Sequence, residues 1–368
     1  MTATQYVSRT CGSLLIGLFA FSAGNAIAAP VPQTGQWQAQ PTAQVQAIEE
    51  RFTSGDAQLR GTLYLPKVRG KVPAVVAFHG ASEPTRDLAL YEHLKRMLPP
   101  LGIAVLVYDR RASGQSSGKP AEGDFVQLAD DGIAAQRMLA RDPRIDASRI
   151  GFWGLSQGGW LSLLAASRSP EAAFAISVSA PMTTPDVQMR FAVANVLKIR
   201  GHPQSDIDLA VAARKAVDDF ERGQLDRKTA QGRLDAAAAQ PWFDEIYMGK
   251  TFHDPAESGW AKEIRNDPMI AVEKIRVPTL IVYGSRDPWV PVSVSVAILQ
   301  SKADQLAKVT TAVIAGANHE MNLHISDAAE VDPQQLAGHA PDSAEYFGLL
   351  ASWLTAHGFT DRLSSKGL

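Results

Sequence analysis

The apolar residues of this chain fall into short, nearly continuous runs that alternate with segments of helical spacing. Six runs have strand length and end at a glycine, an aspartate or a polar loop, namely residues 72–78, 103–108, 149–153, 174–178, 278–283 and 309–314. Most are apolar on both faces, which is typical of parallel strands covered by helices on each side. A further run over 59–65 alternates between apolar and polar residues, so we predict an antiparallel edge strand there, at the start of the sheet.

Helical spacing appears between these runs. Phe125, Leu128, Gly132, Ala135 and Leu139 recur every three or four positions and predict a helix over 124–141. Similar patterns predict helices over residues 88–98, 157–167, 293–306 and 343–357. This alternation predicts an α/β fold with a mostly parallel, doubly wound sheet and helices on both faces.

One long segment interrupts the alternation. Residues 185–270 contain no strand run but carry Ala-rich amphipathic patterns, and about 85 residues is far more than a connection needs. We interpret this segment as a helical cap or lid, inserted into a catalytic core formed by residues 44–184 and 271–368. The alternative is a structural appendage that covers a sheet edge.

The first 28 residues have the pattern of a cleaved export signal. Arg9 precedes an apolar run over 14–21, and small residues lead up to Ala28, after which we predict cleavage. A membrane anchor is the alternative, although the run is shorter than the roughly 20 apolar residues that span a bilayer. We therefore expect a periplasmic or secreted protein without stable membrane insertion, and a flexible Gln/Pro-rich segment over 29–43.

Charge and cysteine content narrow the partners. The chain has 36 basic and 38 acidic residues without a Lys/Arg cluster, so we do not expect nucleic acid as a partner. Loss of the signal would remove Arg9 and leave a net charge of −3, from 35 basic and 38 acidic residues. The single cysteine, Cys11, lies within the signal, and no residues have metal-ligand spacing, so we expect no disulfide, metal or organic cofactor.

The strongest chemical motif is the glycine-rich stretch from Gly154 to Gly159, with the letters GLSQGG. It directly follows the predicted strand over 149–153 and directly precedes a predicted helix, as the G-x-S-x-G elbow requires. Small residues at 154 and 158 allow a sharp turn. We therefore predict that Ser156 is a nucleophile at the carboxyl edge of the sheet.

A nucleophilic serine needs a base, and the base needs a carboxylate that orients it. Asp287 and His319 each follow a predicted strand, in the chain order Ser, acid, His expected on this scaffold. Sites on such sheets gather at the carboxyl ends of the strands. Asp186 is an alternative acid and His324 an alternative histidine.

The tetrahedral intermediate of acyl transfer also needs backbone donors for its oxyanion. The N–H of Gln157 is one candidate, and Ala81, in the loop after the strand over 72–78, is the other. We assign no catalytic role to His79 in the same loop, since a buried, hydrogen-bonded loop histidine explains it equally well.

With these residues in place, the chain resembles the α/β-hydrolase superfamily over most of its mature length. The runs that carry the resemblance are FHGASEPTRD (78–87), YDRRASGQSSG (108–118), RIGFWGLSQGGW (149–160), YGSRDPWVP (283–291) and AGANHEM (315–321). It is most similar to bacterial hydrolases related to dienelactone hydrolases, acyl-CoA thioesterases and the catalytic domains of prolyl-oligopeptidase-type peptidases. The resemblance implies an α/β-hydrolase fold with a helical cap insertion, a triad of Ser156, Asp287 and His319, and oxyanion donors at Ala81 and Gln157.

The chain departs from the resemblance at three points. Ala112 stands where such relatives often have glycine, and Ala81-Ser82 replaces a more glycine-rich turn, which puts the second oxyanion donor in doubt. Dienelactone hydrolases proper use a cysteine nucleophile, so a serine at 156 disfavours that activity.

The sequence thus predicts an exported serine hydrolase that cleaves small carboxylic esters through an acyl-enzyme on Ser156. A peptidase or amidase ranks second, because only about 40 residues precede the predicted catalytic core and leave no room for the β-propeller of such relatives. Thioester cleavage is the third possibility, and a non-catalytic ligand-binding protein is the alternative from another class. We predict that five aromatic residues line the substrate pocket, the alternative being that they form the core of the lid: Trp242, Phe243, Tyr247, Trp260 and Trp289.

Overall fold

An eight-stranded sheet runs through the protein and sets the positions of the other elements. The computed structural model describes residues 45–81, 85–88, 91–323, 325–332 and 342–360; the predicted export signal, the segment over 29–43 and His324 lie outside them. The strands are β1 (Val45–Ser54), β2 (Ala57–Pro66), β3 (Val72–Phe78), β4 (Ala104–Tyr108), β5 (Ile145–Leu155), β6 (Ala175–Val178), β7 (Thr279–Gly284) and β8 (Val309–Ile314).

The strand order is β1-β2-β4-β3-β5-β6-β7-β8. Neighbours from β4 to β8 are parallel, whereas β2 pairs antiparallel with both β1 and β4. The predicted mostly parallel sheet is therefore confirmed. The prediction that the strand over 59–65 forms the edge is wrong, because β1 lies outside it. β1 carries mainly exposed polar and charged residues, so it has no apolar run that would reveal a strand.

Helices cover both faces of the sheet. In the described residues they are α1 (Glu92–Met97), α2 (Phe125–Leu139), α3 (Gln157–Arg168), α4 (Pro185–Ile199), α5 (Gln204–Glu221), α6 (Arg227–Ala238), α7 (Gly259–Glu263), α8 (Pro268–Val272), α9 (Val292–Ser301), α10 (Asp327–Glu330) and α11 (Ala344–Ala356). Short 3₁₀ turns occur at Pro99–Leu101, Phe243–Glu245 and Ala303–Gln305. No helix within the described ranges is long and apolar enough to cross a membrane.

The central strand β5 shows why its run is apolar throughout. Successive side chains of a strand point to opposite faces, and Phe152 and Trp153 are both fully buried. Phe152 packs into one core with Leu128 of α2 and Leu163 of α3. Trp153 packs into the core of the other face, with Leu350 of α11. The sheet is thus the middle layer of three.

Helices α4 to α7 form the cap between β6 and β7. Apolar side chains of α4, α5 and α6 meet in a separate core, which includes Leu197, Ala213 and Leu234. Helix α8 straddles the predicted boundary at residue 270 and packs Met269 and Val272 into the core against the sheet. The cap therefore has a hydrophobic core of its own and stands at the carboxyl edge of the sheet.

Candidate active site

Ser156 occupies a sharp turn between β5 and α3. Its backbone has φ 58° and ψ −123°, a conformation that a residue with a side chain rarely adopts. A Cβ at Gly154 would lie 1.9 Å from the carbonyl oxygen of Gly158, and a Cβ at Gly158 would lie 2.5 Å from that of Phe78. Both positions need glycine for this close approach, and the strained turn presents Ser156 to the space above the sheet.

Asp287 and His319 meet directly, although 32 positions separate them in the chain. Nδ1 of His319 donates to Oδ2 of Asp287 over 2.7 Å, and both residues are buried. The other carboxylate oxygen, Oδ1, accepts hydrogen bonds from the backbone N–H groups of Trp289 and Val290, at 2.8 and 3.1 Å. The backbone of its own loop therefore fixes the orientation of Asp287, and Asp287 fixes the orientation of the His319 ring.

The pKa of His319 results from opposing effects. Burial lowers it, but the charge of Asp287 and the hydrogen bond to that carboxylate outweigh burial, so the pKa is raised above its ordinary value. Asp287 therefore stabilises the protonated ring. A histidine of this kind readily accepts a proton from a neighbouring hydroxyl.

The loop that carries His319 is fixed from behind by residues that the sequence did not reveal. Oγ of Ser179 donates to the carbonyl oxygen of His319 over 2.7 Å. Nδ2 of Asn318 donates to Glu330 over 2.7 Å, and burial raises the pKa of that glutamate to about 7. The polar residues on either side of His319, Asn318 and Glu320, could have suggested a loop held by side-chain hydrogen bonds. Nothing in the sequence identifies Glu330 as the partner of Asn318.

Asp186, the alternative acid, has other partners. It lies near the start of α4, where it accepts a hydrogen bond from Thr184 and pairs with Arg190 and Arg222, at 2.6, 3.1 and 2.9 Å respectively. Burial raises its pKa, but these partners outweigh burial and lower it overall. The structure brings Asp287, and not Asp186, to His319.

Arg110 holds the loop that leads to Ala81. Nη2 of Arg110 donates to the carbonyl oxygens of His79 and Gly80, at 3.0 and 2.9 Å. In a trans peptide the carbonyl and the N–H point in opposite directions, so the bond to Gly80 turns the N–H of Ala81 away from Arg110. Sequence reasoning missed Arg110, although it stands in the quoted run over 108–118.

The His79 ring lies beneath this loop and is a structural part of it. Its Nε2 donates to the carbonyl oxygen of Tyr108, and its Nδ1 accepts from the hydroxyl of Tyr91 over 2.6 Å. Burial, assisted by the charge of Arg110, lowers the pKa of His79 to about 3. The ring is therefore neutral and fully bonded, which fits the buried loop histidine of the sequence analysis.

Most residues of the predicted catalytic site line one cavity. Ala81, Ser156, Gln157 and His319 line its floor at the sheet edge. The cap supplies the opposite wall, which includes Met189, Trp260 and Glu263. Within the described ranges, no group of three or more His, Cys, Asp or Glu side chains is placed to hold a metal ion.

The aromatic residues predicted for the pocket divide between two places. Trp260 and Trp289 line the cavity, as predicted. Trp242 and Phe243 do not, because both are buried in the separate core of the cap. Tyr247 stands behind Trp289, with ring centroids 5.8 Å apart, and is absent from the cavity wall. The prediction is wrong for these three because hydrophobicity alone does not distinguish a side chain that faces a ligand from one that faces its own core.

Seven cavity residues escaped the sequence analysis, among them Trp160, Met189 and Glu263. Trp160 directly follows the elbow motif and lies about one helical turn after Ser156. Trp260 and Glu263 are three positions apart on α7, so the predicted role of Trp260 would have drawn attention to Glu263 once the helix was known.

The fold and this site together define an α/β hydrolase, and the comparison with known families specifies which kind. Residues 71–324, which include all three residues of the predicted triad, match the family described as Serine aminopeptidase, S33, and the chain belongs to that family. The resemblance to the α/β-hydrolase superfamily that the sequence indicated is therefore confirmed.

Individual proteins show more limited likeness. The chain is 28% identical over 215 residues to the thiohydrolase aneE of Aspergillus aculeatus, covering 58% of this chain and 63% of that protein. It is 32% identical over 121 residues to the thiohydrolase apmlB of Arthrinium phaeospermum, covering 33% and 38%. The matches thus span less than two thirds of these relatives.

Solved structures share the fold at low sequence identity. The esterase Pf2001 of Pyrococcus furiosus superimposes with a TM-score of 0.53 and 17% identity, over 90% of this chain and 99% of that one. At this identity the likeness concerns the fold alone.

Proposed function

We propose that this hydrolase cleaves carboxylic esters through an acyl-enzyme on Ser156. The observation that carries the proposal is the 2.7 Å bond between His319 and Asp287, on the same cavity as a serine in a strained elbow. A nucleophile, a base and an orienting carboxylate are the three groups that acyl transfer requires.

In the first half of the reaction, Oγ of Ser156 attacks the ester carbonyl carbon while Nε2 of His319 takes the hydroxyl proton. Asp287 balances the charge of the resulting imidazolium. The tetrahedral intermediate then collapses, the C–O bond to the alcohol breaks, and His319 returns the proton to the leaving oxygen. In the second half, water attacks the acyl-enzyme, His319 again takes and returns a proton, and the acid leaves.

Two backbone N–H groups are suited to stabilise the oxyanion of each intermediate. Gln157 is the first residue of α3, and N–H groups in the first turn of a helix have no acceptor within the helix. The N–H of Ala81 is turned away from Arg110 by the bond that Gly80 accepts. Fixed donors of this kind are commonly the largest single contribution to acyl-transfer catalysis.

The walls of the cavity favour an uncharged ester. Trp160, Pro181, Met189 and Val290 supply apolar surface, and the described lining includes no lysine or arginine that would bind phosphate groups. This disfavours a coenzyme A thioester, whose nucleotide carries several negative charges.

Thioester cleavage is nonetheless the second candidate, because two curated relatives are named thiohydrolases. The same triad attacks a thioester carbonyl, and a thiolate leaves more easily than an alkoxide. A simple alkyl thioester without a nucleotide fits the apolar walls as well as an oxygen ester does.

Labelling with a fluorophosphonate probe tests the nucleophile. We expect the wild type and Ser167→Ala to react covalently and Ser156→Ala to remain unlabelled, since Ser167 lies at the far end of α3. A peptide map places the probe. Labelling of another residue would overturn the mechanism, and an inert wild type would favour a non-catalytic binding protein.

A substrate panel tests the bond that is cleaved. We expect turnover of p-nitrophenyl butanoate and methyl hexanoate to exceed that of S-methyl thiohexanoate and of amino-acid p-nitroanilides, with Ser156→Ala inactive on all of them. Faster cleavage of the thioester would favour the second candidate. Faster cleavage of an anilide would instead identify a peptidase or amidase.

We also propose export to the periplasm or medium, on the basis of the signal pattern in residues 1–28. Expression of the full chain in a bacterium, followed by fractionation and N-terminal sequencing, tests it. Export predicts an extracytoplasmic protein that begins at Ala29. A cytoplasmic protein that retains Arg9 would contradict it.

A further inference from the structure

Glu263 places a carboxyl group in the cavity that the proposed mechanism does not use. It is the last residue of α7 and only 8% exposed, and it lines the wall opposite the sheet edge. Among the residues that the structure describes, none donates a hydrogen bond to its carboxyl oxygens or forms an ion pair with them. A buried polar group of this kind commonly has a partner, and within the described part of the chain the carboxyl group of Glu263 has none.

The two arginines whose charges act on Glu263 make their contacts with other groups. Arg110 donates to the carbonyl oxygens of His79 and Gly80. Arg214 stacks over the ring of Trp260, with 4.1 Å between its guanidinium carbon and the ring centroid, and pairs with Asp218 at 3.2 Å. Both arginines act on Glu263 through space without a bond to it.

Burial decides the protonation of this carboxyl group. It raises the pKa of Glu263 to about 8, and the charges of Arg110 and Arg214 offset the rise only in part. At pH 7 the group is therefore mainly the neutral acid. A neutral carboxyl group has one O–H donor and a free carbonyl acceptor, so it matches a partner that both accepts and donates.

Packing holds the carboxyl group in place. Gly123, in the loop before α2, adopts φ 79°, and a Cβ there would lie 2.9 Å from Cγ of Glu263 and 2.0 Å from the carbonyl oxygen of Gly259. The core thus contacts α7 at both ends through a residue that has no side chain. Glu263 is presented to the cavity by a close contact between cap and core.

The surroundings give this group an orienting role. Gln188 also reaches the cavity, but its Nε2 already donates to the carbonyl oxygen of Trp289 over 2.9 Å. The walls beside Glu263 are formed by Met189 and Trp260. A ligand site with mostly apolar walls takes its selectivity from the few polar groups it contains.

We propose that Glu263 binds a neutral hydroxyl group on the substrate, so that the preferred substrates are esters with an apolar chain that bears a hydroxyl. This proposal rests on the proposed function, since it names the class of ester. The hydroxyl would both accept from and donate to Glu263, while the chain lies against Met189 and Trp260.

Binding to the inactive Ser156→Ala protein tests this assignment without turnover. Tryptophan fluorescence reports binding, because Trp160, Trp260 and Trp289 line the cavity. The probes are methyl hexanoate, methyl 3-hydroxyhexanoate, methyl 6-hydroxyhexanoate and methyl 6-aminohexanoate. We expect at least one hydroxy ester to bind about fivefold more tightly than methyl hexanoate, the factor of one net hydrogen bond.

The variants locate the effect. In the Ser156→Ala background, Glu263→Leu should remove the preference, whereas Glu263→Gln, which keeps a neutral donor and acceptor, should retain most of it. Glu257→Gln is the matched control, because Glu257 is an exposed carboxylate six positions earlier in the cap, and it should leave the preference unchanged. Thermal unfolding establishes that each variant is folded. If Glu263→Leu is not, Glu263→Met, which also removes the donor and the acceptor, takes its place.

Three results would overturn the proposal: equal binding of methyl hexanoate and both hydroxy esters, a preference that survives Glu263→Leu, or tighter binding of the amino ester, which would identify a cation site. Failure of the proposed function gives a different result. The wild-type protein would then neither react with a fluorophosphonate nor hydrolyse an ester, while the binding preference would persist.

Discussion

The two walls of the cavity are built in different ways. On the sheet side, each chemical group follows a strand and is fixed by backbone geometry: Ser156 by its strained turn, and Asp287 by two amide donors. On the cap side, helices supply apolar side chains around a core of their own, together with the carboxyl group of Glu263. Backbone constraint thus positions the reacting groups, whereas side-chain packing shapes the space that a substrate occupies.

The largest expected effect compares a carboxylate of the sheet side, Asp287, with one of the cap, Asp186. Asp287→Asn should lower kcat by about 10⁴-fold, equivalent to about 5.5 kcal/mol, because an amide at this position favours the wrong imidazole tautomer. Asp186→Asn, in the cap, should leave kcat within about threefold and instead lower stability, because it weakens the contacts with Arg190 and Arg222. Ester kinetics and urea unfolding of both variants measure this. A near-normal rate for Asp287→Asn would place the acid elsewhere.

The next effect concerns stability. Trp242→Ala should lower the free energy of unfolding by about 3 to 5 kcal/mol, since the side chain fills the core of the cap. Trp289→Phe, on the cavity, should cost less stability and raise KM instead. Urea denaturation and steady-state kinetics distinguish the two. If Trp242→Ala changed KM while stability stayed constant, Trp242 would contact the substrate after all.

Arg110 is expected to affect the rate through the loop that it holds. Arg110→Leu should lower kcat by about tenfold to a hundredfold, because loss of the bonds to His79 and Gly80 releases the N–H of Ala81 from its position. KM should change little. Arg168→Leu, which removes an exposed arginine paired with Asp130, is the control and should leave kcat unchanged. Equal kinetics for both variants would show that the loop needs no such support.

The pH dependence of the reaction reports on His319. Its pKa is raised above the ordinary 6.5, and the base must be neutral to act, so activity should fall on the acid side with a midpoint above pH 6.5. At pH 6.0, kcat/KM should then be below about one quarter of its plateau value. Asp287→Asn should move the midpoint to lower pH, because the carboxylate charge is gone. A wild-type midpoint below pH 6.5 would mean that burial outweighs Asp287.

The smallest expected effect is on stability and concerns Ala112. Ala112, where relatives often have glycine, adopts φ 58° and is exposed. Ala112→Gly should raise the free energy of unfolding by about 0.5 kcal/mol, since relief of the left-handed strain exceeds the added entropy of the unfolded chain. Ala112→Val should destabilise. Urea denaturation compares them, and a glycine variant less stable than the wild type would contradict this account.

Much of the sheet side was predictable from local pattern. The apolar runs located β3 to β8 to within a few residues, because most of these strands are buried on both faces and are rich in apolar residues; the edge strand β8 differs, with exposed Thr310 and Thr311. The order Ser156, Asp287, His319 followed from strand ends. β1 was missed because an edge strand tolerates polar residues on both faces, and its pairing with β2 is a long ladder that its own composition does not signal.

For the cap, the sequence predicted the type of secondary structure but not which side chains face the cavity. Its Ala-rich spacing indicated helices, and its aromatics indicated burial, but Trp242 and Trp260 look alike in sequence. One lies in the core of the cap and the other on the cavity. The role of Arg110 was likewise hidden, because it depends on two carbonyl oxygens from a loop about 30 positions away.

The sequence by itself determined the α/β architecture, the elbow at Ser156 and the chain order of the triad candidates, because each depends on residues that are close together in the chain. The tertiary structure alone decided that Asp287 and not Asp186 meets His319, that Trp242 and Phe243 face inward, and that Glu263 reaches the cavity. Those outcomes depend on how elements far apart in the sequence pack against one another, and no local stretch of sequence specifies that packing.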